Sequence, residues 1–268
     1  MKKIFFLLLI PMLALSSCGE KKAESTLARV QESKTMRCGY IIYEPYLKRD
    51  INTGKMSGIV VEYLEQAAAR EGIKIEWAQE VNIDQIVPAL DGKRIDMWCV
   101  PASYHPDYAK VLDFVGDFGK LPYYTYVPYD SKITQAELQN DPNARFVVMD
   151  AFIPQVLTPR YYPNAKVASF PQSISIGELF DQLKYGKADA IVNEHVGAKN
   201  YMRNNPNTIR RLNDTPLESL NMSFVVRKDD KDWGQFIGHL TDTKRPENQA
   251  IFKALTEKYG LVEGALVF

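Results

Sequence analysis

Cysteine, histidine and tryptophan are scarce in this chain of 268 residues, with three of each. Three cysteines, one of them at position 18, are too few for a disulfide scaffold, so the fold must stand on its own core. An excess of one charge is also missing, since 33 Lys and Arg balance 33 Asp and Glu. Nothing in that balance suggests a nucleic-acid partner. No Gly-x-Ser-x-Gly elbow and no glycine-rich phosphate loop is present, which removes two common routes to catalysis and any cofactor cradle. His105 and His195 lack the paired spacing of metal ligands, so neither metal nor cofactor is expected. Beyond the N-terminus no segment is apolar enough to span a bilayer, and no repeat or heptad recurs.

The N-terminus is the exception. Lys2 and Lys3 precede an apolar run over residues 4–15, interrupted only by Pro11, and Ser16 and Ser17 lead into Cys18. The layout is that of a secretory signal peptide over residues 1–17. Leu15-Ser16-Ser17-Cys18 resembles the bacterial lipobox, which implies acylation of Cys18 and a lipid anchor in the membrane; a soluble signal peptide with an incidental cysteine is the alternative. Residues 18–30 are polar and aperiodic at first and read as a tether. Roughly 240 residues then remain, enough for one large domain or two lobes.

Strands and helices alternate through that remainder. Residues 36–42, 73–77 and 95–100 are short apolar runs suited to buried strands. Residues 59–70 carry Ile59, Val60, Tyr63, Leu64 and Ala67 at helical spacing, ending at Gly72. In the second half 145–149, 166–170, 188–192 and 222–226 read as strands, with an irregular proline-rich stretch up to Pro163. Ser175 and Glu178 form a capping box opening a helix that ends at Gly186, and the tail over 233–259 reads as helical. This rhythm predicts an α/β fold in two lobes, each a parallel-type sheet flanked by helices.

Several stretches are family-specific in their order and intervals. They are Cys38-Gly39-Tyr40, Glu44-Pro45-Tyr46, the run from Gly54 to Ile59, the run from Pro88 to Asp96, His105-Pro106-Asp107-Tyr108 continuing to Phe114, and Gly186-Lys187-Ala188-Asp189 continuing to Glu194. Together they resemble the family 3 extracellular solute-binding proteins, which include the polar amino-acid receptors. The resemblance implies a two-lobed periplasmic-binding-protein type 2 fold. Lobe 1 would comprise residues 31–122 and 222–268, lobe 2 residues 123–221, and two hinge crossings would lie near 121–125 and 219–224. It also implies a monomer that delivers a small solute to the permease of an ABC importer.

The same resemblance assigns a cleft. Tyr43 and Tyr46 are the aromatic candidates after the first strand, Pro101 a backbone carbonyl, Ser103 a hydroxyl, and Glu194 the acid that meets a ligand amine. Where the family's amino-acid receptors carry a carboxylate-clamping arginine, this chain has Tyr108, which offers one donor and no charge. The usual Gly-Thr site of lobe 2 is Ala151-Phe152 here, leaving Phe152 as a cleft contact. An acid retained without its cation favours a cationic or neutral aromatic solute. Trp98 reads as core more than as a stacking platform, Asp96 and Asp189 as structural, and Cys38 and Cys99 as buried free thiols on neighbouring strands. Dehydratases acting on cyclohexadienyl acids share this architecture and place an acid at the position of Glu194, so an enzyme is the second reading; a ligand-sensing module for a membrane partner is the third.

Overall fold

A computed structural model describes residues 25–259. The expected signal peptide and Cys18 lie outside the described residues. The chain opens with α1 (Thr26–Ser33), capped by the Ser25 hydroxyl. The expected tether therefore runs into folded structure at Thr26, and Val30 is fully buried. Then come β1 (Thr35–Tyr40), a small hairpin of β2 (Lys48–Arg49) and β3 (Met56–Ser57), α2 (Ile59–Arg70), β4 (Lys74–Glu80), α3 (Ile86–Asp91), β5 (Met97–Ser103) and β6 (Leu112–Val115). The apolar face of α2 buries Ile59, Val60, Tyr63, Leu64 and Ala67 against the sheet, as its spacing requires. Gly58 precedes it with φ 124°, and a Cβ there would lie 2.4 Å from the Tyr46 carbonyl. Only glycine lets the 43–47 loop close onto α2, and that loop carries Tyr43.

A long strand, β7 (Lys120–Pro128), leaves lobe 1. Lobe 2 adds α4 (Gln135–Asn140), β8 (Arg145–Met149), α5 (Pro154–Tyr161), β9 (Lys166–Phe170), α6 (Ile176–Lys184), β10 (Ile191–Glu194), α7 (His195–Asn204) and β11 (Ile209–Arg211). The return strand is β12 (Glu218–Arg227), followed by α8 (Lys231–Thr241) and α9 (Pro246–Lys258). The proline-rich stretch holds α5, with Pro154 at its first turn, where a missing N–H costs nothing, and Pro159 inside it. The helical tail is two helices, broken at residues 242–245.

The pairing explains the lobes. β4-β1-β5 is parallel, as is β8-β9. The crossing strands break that rule. β12 runs antiparallel to β5 and β6, and β7 antiparallel to β10 and β11. Residues 120–123 pair antiparallel with 218–221, so one ladder carries the chain between the lobes in both directions. The eight-stranded sheet that holds these crossings is thus mixed, because a strand returning from an inserted lobe runs against the strand that left, while β8 and β9 form a separate parallel pair.

Both lobes fasten their first strand in the same way. Asp96, preceding β5, accepts from the Arg37 backbone N–H at 2.7 Å and from its guanidinium at 2.8 Å. Asp189, preceding β10, accepts from the Arg145 backbone N–H at 2.8 Å and from its guanidinium at 2.7 Å. Asp96 also pairs with Arg29 of α1, and Thr26 bonds Asp230, so α1 is docked on lobe 1.

One expectation is overturned. Cys38 on β1 and Cys99 on β5 form a disulfide, with their Cα atoms 5.4 Å apart. Adjacent strand positions offset in register bring the two Cβ atoms within bonding reach, a geometry the sequence does not display. Bridging residues 61 apart stabilises the fold by roughly 2–5 kcal/mol. Replacing both cysteines by alanine should lower the thermal midpoint by about 5–15 °C, read by circular dichroism. An unchanged midpoint would mean that the bridge carries no stability.

Candidate functional site

Between the lobes lies a cavity of about 100 Å³. Its lobe 1 wall comes from the loop after β1 (Ile41, Tyr43), from β5 (Trp98, Val100, Pro101, Ser103), from His105 and Tyr108, and from β6 (Leu112, Phe114). Lobe 2 contributes residues 151–154 at the start of α5 and the end of β10, Asn193 and Glu194. The hinge strands supply Leu121, Tyr123, Met222 and Val225. No Lys or Arg borders it among the described residues. A wider, polar mouth of about 600 Å³ opens outward, with Glu44, Glu80 and Asn82 facing Gln172, Glu178 and Asp181.

Glu194 is the electrostatic centre. It is 3% exposed and serves as N-cap of α7. Its Oε1 accepts from the Gly197 N–H at 2.7 Å, and Oε2 from the Val196 N–H. The Tyr43 hydroxyl of the opposite lobe donates to Oε1 at 2.5 Å. Burial raises the carboxyl above its ordinary range, opposed by those three donors. Burial and the Glu194 charge push the Tyr43 phenol well up, so it stays a donor. A Cβ at Gly197 would stand 2.5 Å from Oε1, so a side chain there would displace the carboxylate. A second cross-lobe hydrogen bond runs from the Ile83 N–H to Gln172 Oε1 at 3.0 Å.

Of the residues anticipated from the sequence, Tyr43, Pro101, Ser103, Tyr108, Phe152 and Glu194 converge on this cavity. Tyr46 does not border it. Its ring is 2% exposed and stacks behind Tyr43 at 5.9 Å, a core position fixed by the turn that brings the loop onto α2. The Ser103 hydroxyl meets the Tyr123 hydroxyl at 3.3 Å, and the Tyr108 ring stands edge-on to His105. His195 lies outside the cavity, against Tyr124, and no three-residue metal cluster occurs among the described residues. Sequence reading missed Asn193, Tyr123 and the wall position of Trp98. Asn193 adjoins Glu194 at the end of β10, where the strand gives way to α7, and both border the cavity.

The sequence comparisons agree with this architecture. Residues 37–258 match the model of the bacterial extracellular solute-binding proteins, family 3, and the chain belongs to that family. Its setting is therefore extracytoplasmic. The chain is 28% identical over 223 residues to a probable histidine-binding protein of Campylobacter jejuni, covering 80% of this chain and 82% of the relative. It is 23% identical over 212 residues to a probable amino-acid ABC transporter-binding protein of Haemophilus influenzae, covering 78% of each. Among solved structures, the cysteine-binding protein of Campylobacter jejuni has the same fold, with a TM-score of 0.72 at 18% identity over 91% of this chain and 95% of that one. The ancestral amino acid-binding protein AncCDT-1, a precursor of cyclohexadienyl dehydratase, gives 0.71 at 22% identity over 88% and 99%.

Tyr43→Phe removes the donor that joins the lobes at a charged acceptor, a loss of about 1.5–3 kcal/mol from the closed form. Small-angle scattering of the variant without added solute should give a larger radius of gyration than wild type. Equal radii would show that the bond does not hold the lobes together.

Proposed function

We propose that this chain captures a small solute between its lobes and presents it, closed, to the permease of an ABC importer, as a monomer lipid-anchored through Cys18. What carries the reading is the interlobe cavity with a buried acid as its one formally charged wall residue. Lobe closure around such a cavity supplies both affinity and a shape for a transporter to recognise. The Cys38–Cys99 disulfide suits an oxidising compartment outside the cytoplasm. The histidine, cysteine and general amino-acid specificities in the relatives' names define the solute class only as small and polar. Without a guanidinium at Tyr108, a ligand α-carboxylate has no bidentate partner, so the solute we assign has a largely apolar or aromatic body and an N–H or ammonium group for Glu194.

A dehydratase reading draws on the buried, raised Glu194 carboxyl as a proton donor. Against it stand the absence of a cation for a carboxylate substrate and the engagement of both Glu194 oxygens by protein donors. Turnover of prephenate would favour it. A sensor that closes on the same solute but signals to a membrane partner would lack an associated permease.

Two outcomes test the assignment. Glu194→Gln should weaken the solute captured during purification, identified by native mass spectrometry, by at least tenfold in calorimetry for an N–H contact. The loss should be hundredfold or more for a buried ammonium, whose pairing is worth roughly 3–5 kcal/mol. Near-wild-type affinity would make Glu194 a helix cap alone, and tight binding of simple α-amino acids would overturn the reading of Tyr108 as a lost carboxylate clamp. Separately, Cys18→Ser should abolish lipid attachment and leave unprocessed precursor. A normally processed variant still held in the membrane fraction would refute the anchor.

A further inference from the structure

Two residues that border the cavity carry a buried donor with no protein partner, the Trp98 indole Nε1–H of lobe 1 and the Asn193 amide Nδ2 of lobe 2. Both residues are more than nine-tenths buried, at 3% and 4% exposure. Buried side-chain polar atoms elsewhere without hydrogen bonds belong to Arg29, which is ion-paired to Asp96, and to Tyr46, Tyr126, Thr158 and His195, none of which borders this cavity. The other two indoles are satisfied: Trp77 donates to Glu65 at 3.1 Å and Trp233 to the Asp96 carbonyl at 2.8 Å. Glu194, in contrast, already accepts three protein hydrogen bonds. The unmet demand of the wall is for acceptors.

We infer that the captured solute is a neutral, compact ring compound whose carbonyl oxygen or ring nitrogen accepts from Trp98 and Asn193, making these two residues specificity determinants of the cleft. This rests on the capture reading above and narrows its solute class. An orphaned buried donor destabilises the state that contains it, so a ligand acceptor gains affinity by filling that need. An ammonium has no lone pair and leaves both donors unmet. A carboxylate offers acceptors, yet no Lys or Arg borders the cavity, and Glu194 shares the wall. A second anion would be enclosed without counter-charge. A neutral acceptor on a flat apolar body remains, matching walls of Ile41, Trp98, Val100 and Phe114. A ring N–H or carboxamide N–H on the same body would reach the remaining acceptor capacity of Glu194. The donors come from opposite lobes, so one acceptor group is rewarded only when the lobes are closed.

The test uses the full chain labelled with 15N at tryptophan, which gives three indole resonances, and three probes of one shape: benzamide, benzylamine and benzoate. Trp98→Phe assigns the Trp98 resonance. Benzamide should move that resonance downfield and leave those of Trp77 and Trp233 in place, and calorimetry should show it bound at least tenfold tighter than the other two. Asn193→Asp, which converts the donor to an acceptor at the same buried wall position, and Trp98→Phe should each weaken benzamide about tenfold. The inference is overturned if benzylamine or benzoate binds as well as benzamide, or if millimolar benzamide leaves the Trp98 resonance unmoved. Either result leaves interlobe capture standing when native mass spectrometry still finds a bound solute. If no solute is captured and none of the probes binds, both the inference and the capture reading fall.

Discussion

Everything in this molecule hangs on one antiparallel ladder, the pairing of residues 120–123 with 218–221. Lobe 2 is an insertion, and these two strands are its attachment within the sheet. Their hydrogen bonds keep the departing and returning chains adjacent, so rotation of one lobe on the other is an adjustment of two neighbouring strands. Tyr123 is the node. Its backbone pairs with Glu218 across the hinge and with Glu194 on β10, and its hydroxyl meets Ser103 at the end of β5. The acid of lobe 2 and the hydroxyl of lobe 1 are therefore both referenced to the pivot.

Glu194 answers two demands at once. As N-cap of α7 it satisfies two helix N–H groups and benefits from the positive end of the helix dipole. That solvation by fixed dipoles is what allows a carboxylate to sit in a closed apolar cleft at all. The Tyr43 hydroxyl adds a third donor that exists only when the lobes are together. Closure is thus coupled to the electrostatic comfort of one side chain, and an incoming ligand donor has to share or replace what Tyr43 provides.

Much of this could be read along the chain. The capping box at Ser175 and Glu178 forms as expected, with the serine N–H 2.7 Å from the glutamate. The core face of α2 follows its apolar spacing, and Asp96 and Asp189, just before β5 and β10, are structural as expected, tying down Arg37 and Arg145. The proline-rich helix α5 was hidden because proline reads as a breaker unless the first turn is known to start at Pro154. Tyr46 was indistinguishable from Tyr43 in sequence, since both are tyrosines of one loop; the turn decides that one faces the cleft and the other packs behind it. The disulfide was hidden for a related reason: strand order makes neighbours of β1 and β5, but their register sets whether two thiols meet.

By itself, then, the sequence determined the local periodicities, the alternating α/β plan and the family, because these depend on residue types at short spacing. Only the tertiary structure decided that Cys38 reaches Cys99, that Tyr43 bonds Glu194 across the cleft, and that Trp98 and Asn193, each with an unpaired donor, border one cavity. Each of those facts joins residues far apart in the chain. Their distance is set by sheet register and lobe closure, which no single segment encodes.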